Sequence, residues 1–304
     1  MNLLAVINQL ISLFLMMLAG FVSARAGVIT PDFRKKLSTF TLSTAAPGVV
    51  ISSVLTSDSN PLKMLGALGM SVFFFALVSL FAAVIVRVFR VRREEAGLDQ
   101  LMLIFTNVGF MGIPVVQSIY GAQGVALVSM FILIFNLYCF SYGVLLISSG
   151  AKFNWKSLCN PCIIAAVIAF ILALTGWHFP APVENTLSSI GAMNTPLAMM
   201  IIGASMAHSD IRKALSNPRM YFICLLSMFL MPVLVLLVIM FLPIDPMLAG
   251  VTVLMAAMPI GGNCAMLSDQ YTPDDMTASH CVMVSTLLSA VSLPIVCALI
   301  SLAL

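Results

Sequence analysis

The sequence predicts an all-α membrane protein of ten transmembrane helices, arranged as two inverted five-helix repeats, and three observations carry that expectation. The first is apolarity. Of 304 residues, 61% are hydrophobic and 8% charged, and the mean hydropathy is +1.12, far from the composition of a soluble domain. The second is spacing: stretches of about 20 apolar residues, enough to cross the hydrocarbon core, can be drawn ten times. They run from Leu3 to Ser23, Leu37 to Leu55, Met64 to Val86, Gln100 to Tyr120, Val125 to Ile147, Ser157 to Trp177, Val183 to Ala207, Met220 to Leu242, Met247 to Leu267 and Met276 to Leu302. The third is charge placement. The 14 Lys and Arg residues fall almost wholly in alternate loops, Arg25 to Lys36, Arg87 to Arg93, Lys152 to Lys156 and Arg212 to Arg219, with only Lys63 on the other side. The positive-inside bias makes those loops cytoplasmic and both termini external.

Span 1 carries a small-residue pattern, Ala24-Arg25-Ala26, like that of a signal-peptide cleavage site. No Lys or Arg precedes its apolar run, which exceeds a typical signal h-region, so it reads as a first helix. Span 2 opens with Thr30-Pro31-Asp32, a capping hydroxyl, a proline at the first helical position and an early acid; Thr272-Pro273-Asp274 does the same for span 10. Asn60-Pro61 opens span 3 and Asn217-Pro218 opens span 8. The seven cysteines lie mostly inside apolar spans, which points to small core residues. Cys159-Asn-Pro-Cys162 has redox or metal-ligand spacing, but the partner ligands and the surrounding fold for either are missing. No metal and no cofactor is expected.

Span 4 is the segment around which the chain is organised. It contains Asn107-Val-Gly109-Phe-Met-Gly112-Ile-Pro114 at mid-depth. Pro114 lacks a backbone donor and crowds the carbonyl of Phe110, so a break is expected there. Span 9 repeats the device with Met258-Pro259-Ile-Gly261-Gly262-Asn263, releasing the carbonyl of Met255. Spans 2 and 7 also hold internal prolines, Pro47 and Pro196. The recurrence pairs residues 1–150 with 151–304, and five spans per half make the two copies enter the membrane from opposite sides. Prolines are frequent in membrane helices in any case, but inverted repeats place binding where the broken helices of the two halves meet. Half-helices resuming at Val115 and Ile260 would aim N–H groups and positive dipole ends at one point, suited to an anion. Asn107 and Asn263 could read a carboxylate without burying a charge, or could act as interhelical glue. Gly261 and Gly262 permit close backbone approach, and Gly109, Gly112 and Gly261 are counted among the candidate substrate-binding residues.

These segments closely resemble the auxin efflux carrier family, which includes the plant PIN proteins and bacterial malate or malonate permeases. Asn107 to Pro114 followed by Tyr120-Gly121 is similar to that family's fourth helix. Ala256-Ala-Met-Pro259-Ile-Gly261, Asp269-Gln-Tyr271 and the Pro294 region are similar to its ninth and tenth. The resemblance implies a fold of the bile-acid-symporter and sodium-proton-antiporter type, with spans 1, 2, 6 and 7 as scaffold. Spans 3 to 5 and 8 to 10 would form a mobile transport unit in which spans 4 and 9 cross. It implies substrate contacts at Asn107, Pro114 and Pro259, with Asn136 where plant members carry a polar amide, and Ile51 and Ser52 facing the site from the scaffold. A homodimer through the scaffold is implied as well; Gly191, Gly203, Ala204 and Ala207 of span 7 would permit close packing, there or equally in contacts within one subunit. The plant proteins' long central loop is absent, leaving only Ser148 to Lys156.

The expected function is therefore a secondary transporter of small organic anions, a malate-, malonate- or auxin-like carboxylate, moved by an elevator-like alternating-access cycle in the cytoplasmic membrane. The alternative is a membrane sensor that reuses the carrier fold, which a liposome flux assay would separate. An intramembrane enzyme is disfavoured because the acidic pairs Glu94-Glu95 and Asp274-Asp275 lie at membrane edges, and His178, His208 and His280 lie at or near helix ends. The basic residues are dispersed over short loops, which excludes nucleic acid as a partner; the partners expected are a small carboxylate and the lipid bilayer. With Asp99, Asp269, Lys63 and His280 all away from mid-depth, uncoupled, potential-driven efflux is expected, potential supplying about 2.3 kcal/mol per charge per 100 mV.

Overall fold

The computed structural model describes residues 3–56, 61–148, 161–208, 218–272 and 277–303. The expected cytoplasmic loop at Lys152 to Lys156, Cys159 of the C-x-x-C pair, and the capping residues Asn60, Asn217, Pro273 and Asp274 lie outside them. Among the described residues the chain is helical, with a single isolated β-bridge. Its helices are α1 (Leu3–Arg25), α2 (Pro31–Phe40), α3 (Ala46–Thr56), α4 (Pro61–Val88), α5 (Arg93–Ile104), α6 (Ile113–Tyr138), α7 (Val144–Ile147), α8 (Pro161–Thr175), α9 (Ala181–Ala192), α10 (Asn194–His208), α11 (Pro218–Leu225), α12 (Met231–Ile239), α13 (Pro246–Ala257), α14 (Gly262–Tyr271) and α15 (Thr277–Ala303).

Among the described residues, six helical stretches are long and apolar enough to cross a membrane: Pro31–Leu55, Pro61–Val88, Val108–Ile147, Ala181–Ala207, Pro218–Ile239 and Thr277–Ala303. Ile11–Arg25, Ile163–Thr175 and Pro246–Ala257 are shorter apolar helices. The chain is thus a multi-pass integral membrane protein. The 40-residue stretch Val108–Ile147 contains the second half of expected span 4 and all of span 5. Between them Gly121 takes φ 64° and ψ −155°, a backbone conformation that a Cβ would oppose.

Three of the internal prolines share a device that residue-by-residue reading missed, whereas Pro294 lies inside α15 without it and a further wide turn, Cys139–Gly143, precedes no proline. Wide, π-type turns occupy Thr41–Ala45, Val108–Gly112 and Leu226–Leu230, and each ends two residues before a proline: Pro47, Pro114 and Pro232. A proline removes the hydrogen bond to the residue four back and pushes on its carbonyl. Widening the preceding turn makes room for the ring inside a continuous helix. Thr30 caps α2 as expected, its hydroxyl accepting from the N–H of Phe33 at 3.3 Å. Asp245 caps α13, accepting from the N–H groups of Met247 and Leu248 at 2.9 and 3.2 Å.

The chain forms two compact units. Unit 1 comprises Met1–Gly69, Gly109–Leu133 and Cys159–Ser209. Its helices pack through glycine. A Cβ at Gly203 would lie 1.8 Å from the carbonyl oxygen of Met17, and one at Gly20 would lie 2.2 Å from that of Met200, so α1 and α10 lie backbone on backbone. Gly48 of α3 and Gly191 of α9 do the same, with the Cβ of Gly191 falling 2.7 Å from the nitrogen of Val49. In lipid, where tails are as apolar as Leu, such close packing is a main source of helix association. The small face of span 7 is therefore occupied within one chain: Gly191 and Gly203 meet α3 and α1, and Ala204 and Ala207 are buried beside Ala24 and Ile29. These small residues thus serve contacts within one subunit.

Unit 2 comprises Met70–Val108, Ile134–Leu158 and Asp210–Leu304. Its core holds a chain of rings. Phe75 stacks on Phe105 at 6.3 Å between centroids, Phe105 meets Phe135 edge-on at 5.6 Å, and Tyr138 lies 6.0 Å from Phe105, all within the range of favourable aromatic pairs. Tyr138 shares a hydrogen bond of 3.0 Å with Ser79.

Candidate functional site

Two helices of unit 2 stop in the interior and restart. α5 ends at Ile104, and Phe105 to Asn107 leave helical geometry before the wide turn at Val108 begins; α13 ends at Ala257, and Met258 to Gly261 are extended before α14 begins at Gly262. The break in span 4 is therefore at Phe105 to Asn107, not at the expected carbonyl of Phe110. Pro114 instead lies inside the resumed helix, two residues past the wide turn Val108–Gly112 that makes room for its ring, and Phe110 belongs to that turn. The restarts lie at Val108 and Gly262, which corrects the expected Val115 and Ile260. In span 9 the break falls at Pro259 as expected.

Each break orphans backbone groups that water cannot reach in the hydrocarbon region, at several kcal/mol per group. The two broken segments satisfy each other. Thr106 and Ile260 form an antiparallel bridge, flanked by the N–H of Asn107 donating to the carbonyl of Pro259 at 2.7 Å and the N–H of Gly261 donating to the carbonyl of Phe105 at 2.9 Å. The carbonyl of Met255, released by Pro259, accepts from the hydroxyl of Thr106 at 2.7 Å. The N–H of Ile260 donates to the hydroxyl of Ser285 in α15 at 3.1 Å. Gly261 suits this approach, since a Cβ there would lie 3.0 Å from the carbonyl oxygens of both Phe105 and Thr106 and would press on them. The thiol of Cys264 adds a contact of 3.3 Å to the carbonyl of Phe105.

Of the candidate residues, the structure brings Asn107, Pro259, Gly261 and Asn263 to this crossing. Asn263 lies in the first turn of α14, a helix with no side-chain cap, and its side chain hydrogen-bonds the thiol of Cys139. Asn136 is buried in the last turn of α6, and Cys139 opens the wide turn Cys139–Gly143 that follows it. At Gly262 a Cβ would meet open space. Gly109, Gly112, Pro114, Ile51 and Ser52 belong to unit 1. There Gly112 and Pro114 are buried, Gly109 borders open space, and the hydroxyl of Ser52 donates to the carbonyl of Val49 at 3.3 Å. The sequence reading missed Thr106 and Ser285, whose hydroxyls satisfy the carbonyl of Met255 and the N–H of Ile260. Their one signal was a hydroxyl inside an apolar run. The crossing presents amides, hydroxyls, thiols and backbone dipoles but no formal charge. Among the described residues, no group of three or more His, Cys, Asp or Glu side chains is arranged to hold a metal ion.

A multi-pass helical membrane protein with paired, interrupted helices at its centre has the architecture of secondary transporters. Comparison with known proteins agrees. The chain belongs to the membrane transport protein family, that of the auxin efflux carriers, whose profile matches residues 5–154 and 145–297. It is similar to an uncharacterised transporter of Methanothermobacter thermautotrophicus, 23% identical over 300 residues, spanning 95% of this chain and 96% of that protein. It is also similar to the uncharacterised transporter YfdV of Escherichia coli, 24% identical over 309 residues with the same coverage. An uncharacterised transporter of Methanocaldococcus jannaschii is 23% identical over 219 residues, 65% of this chain and 68% of that protein.

Proposed function

We propose that this transporter moves small organic anions, carboxylates of the malate, malonate or auxin type, with the crossing of spans 4 and 9 as the binding site. The observation that carries the reading is the division of labour at the crossing. The broken backbones satisfy one another through Thr106, Ser285 and the bridge, and the uncapped first turn of α14 is left with open space at Gly262. A helix N-terminus beside neutral amides favours an anion and requires no buried countercharge. Asn107 and Asn263 would hold the carboxylate, with Asn136 behind them.

In this reading the ten spans form two inverted repeats, residues 1–150 and 151–304, in the cytoplasmic membrane with both termini outside. Spans 3 to 5 and 8 to 10 move against spans 1, 2, 6 and 7 in an elevator-like cycle. A homodimer forms through the scaffold, and the membrane potential drives the anion out. A thermal-shift screen of carboxylates against the purified protein, followed by proteoliposome flux, tests it. Carboxylates should stabilise the protein, and Asn107→Ala and Asn263→Ala should reduce flux by more than tenfold, about 1.4 kcal/mol, with expression retained. Stabilisation by amines or sugars alone would rule the reading out.

A further inference from the structure

α5 ends at the crossing and begins in a cluster of charges. Arg219, in the first turn of α11, donates from Nη1 to Glu95 at 2.5 Å and from Nη2 to Asp99 at 2.6 Å. One guanidinium thus serves two carboxylates spaced one helical turn apart on α5. Their surroundings differ. The Glu95 side chain is 28% exposed and has a second cation, Arg92, at 3.6 Å, whereas Asp99 is only 4% exposed.

Among the described residues, the remaining groups about Asp99 are few. From α15 the thiol of Cys281 lies within electrostatic reach, backed by Cys224 of α11. α7 carries no titratable side chain, and Cys264 of α14 is engaged with the carbonyls of Leu101 and Phe105 further along α5. Burial pushes the Asp99 carboxyl above the usual carboxylate range, against the opposing pull of Arg219, while Glu95 adds to the rise. Between the two acids, Gly97 brings α5 against α7, where a Cβ would lie 2.1 Å from the carbonyl oxygen of Leu146.

Neutralising one member of a buried ion pair ordinarily strands the other. Here it does not. When Asp99 takes a proton, Arg219 keeps Glu95, so the cluster has two charge states in which the arginine remains paired. We propose that Asp99 is a proton-binding site of this transporter, whose loading from water converts the three-membered cluster into an Arg219–Glu95 pair and releases half of the tie between α5 and α11. α5 runs without interruption from this cluster to Phe105, so the strength of that tie bears on the helix that carries the crossing. A difference of one pKa unit at Asp99 between two conformations shifts their ratio about tenfold. The proton does no work on the substrate, so the inference is independent of the substrate class proposed above.

The test is an infrared pH titration of the full-length protein in phosphatidylcholine vesicles, following the C=O stretch of protonated carboxyls, with thermal unfolding measured at the same pH values. Wild type should show a carboxyl titrating above the ordinary range. In Asp99→Asn, which retains hydrogen-bonding capacity toward Arg219, that step should vanish. In Glu95→Gln it should move to lower pH, because Arg219 then serves Asp99 alone. The sign for stability follows from the raised value: stabilisation from protonated Asp99 is present at low pH and is lost as pH rises through the folded-state pKa, so the unfolding midpoint should fall there in wild type and stay level in Asp99→Asn. A titration unchanged in Asp99→Asn, or one that stays or rises in Glu95→Gln, would overturn the proposal; should Asp99→Asn not fold, the Glu95→Gln shift decides alone.

Discussion

Gly20, Gly48, Gly191 and Gly203 let helices of unit 1 lie backbone on backbone, whereas Phe105 to Asn107 and Pro259 to Gly261 of unit 2 reach the same closeness by giving up helical hydrogen bonds and making new ones across the gap. The first kind of contact depends on the absence of side chains. The second depends on polar groups finding partners, and a neighbour only 3.0 Å away reinforces it at Gly261. A helix pair of the first kind resists any added atom and is indifferent to polarity. The crossing should behave the other way, suffering from apolar substitutions of unchanged size.

The largest effect is expected at Gly203→Val. A side chain there would overlap the carbonyl of Met17, so α1 and α10 must separate; overpacking of this severity costs about 3 kcal/mol or more. Loss of monodisperse folded protein on size-exclusion chromatography is the expected outcome, and a normal unfolding midpoint would show that the glycine contact is dispensable.

Thr106→Val should come next. It preserves volume but leaves the carbonyl of Met255 without the hydroxyl it accepts from, a loss of about 1–3 kcal/mol for a buried unsatisfied group. Thr106→Ser should recover most of it. Equal midpoints for Val and Ser would show that polarity at the crossing is irrelevant.

Ser285→Ala orphans the N–H of Ile260 and should cost about 1–2 kcal/mol. Since Thr106 and Ser285 support the same two segments, the double variant should deviate from additivity by roughly 0.5 kcal/mol or more in a double-mutant cycle. Strict additivity would mean that the two breaks are independent.

The smallest effect on stability belongs to Gly262→Ala, where a methyl group enters open space and the change should stay within about 0.5 kcal/mol. Flux should nevertheless fall, because that space is the candidate site. Unaltered flux of the carboxylate found by screening would place the substrate elsewhere.

The two prolines that drew attention to the crossing were not equally informative. Pro259 does sit at its break, but Pro114 does not. A proline states that one donor is missing without stating where the chain absorbs the loss, and a wide turn at Val108–Gly112 absorbs it inside a helix. The break at Phe105 to Asn107 contains no proline at all. Its geometry depends on a bridge partner, Ile260, more than 150 positions away, and no local pattern announces such a pairing. The small residues of span 7 teach the same lesson: their capacity for close packing was legible, their partner was not.

What the sequence by itself determined is the solvent and the vocabulary. A mean hydropathy of +1.12 with 8% charge requires a bilayer, and a bilayer requires that every backbone group be satisfied internally, hence helices, with interruptions confined to protein interior. The motifs at Asn107 and Pro259 marked where interruptions would be used, and they sufficed for the family. Only the tertiary structure decided which backbone groups pair at the crossing, that Thr106 and Ser285 complete it, and that Asp99 and Glu95 share Arg219. Those are contacts between residues distant in the chain. Their energies exist only once the segments are brought within hydrogen-bonding distance, and that distance is set by packing.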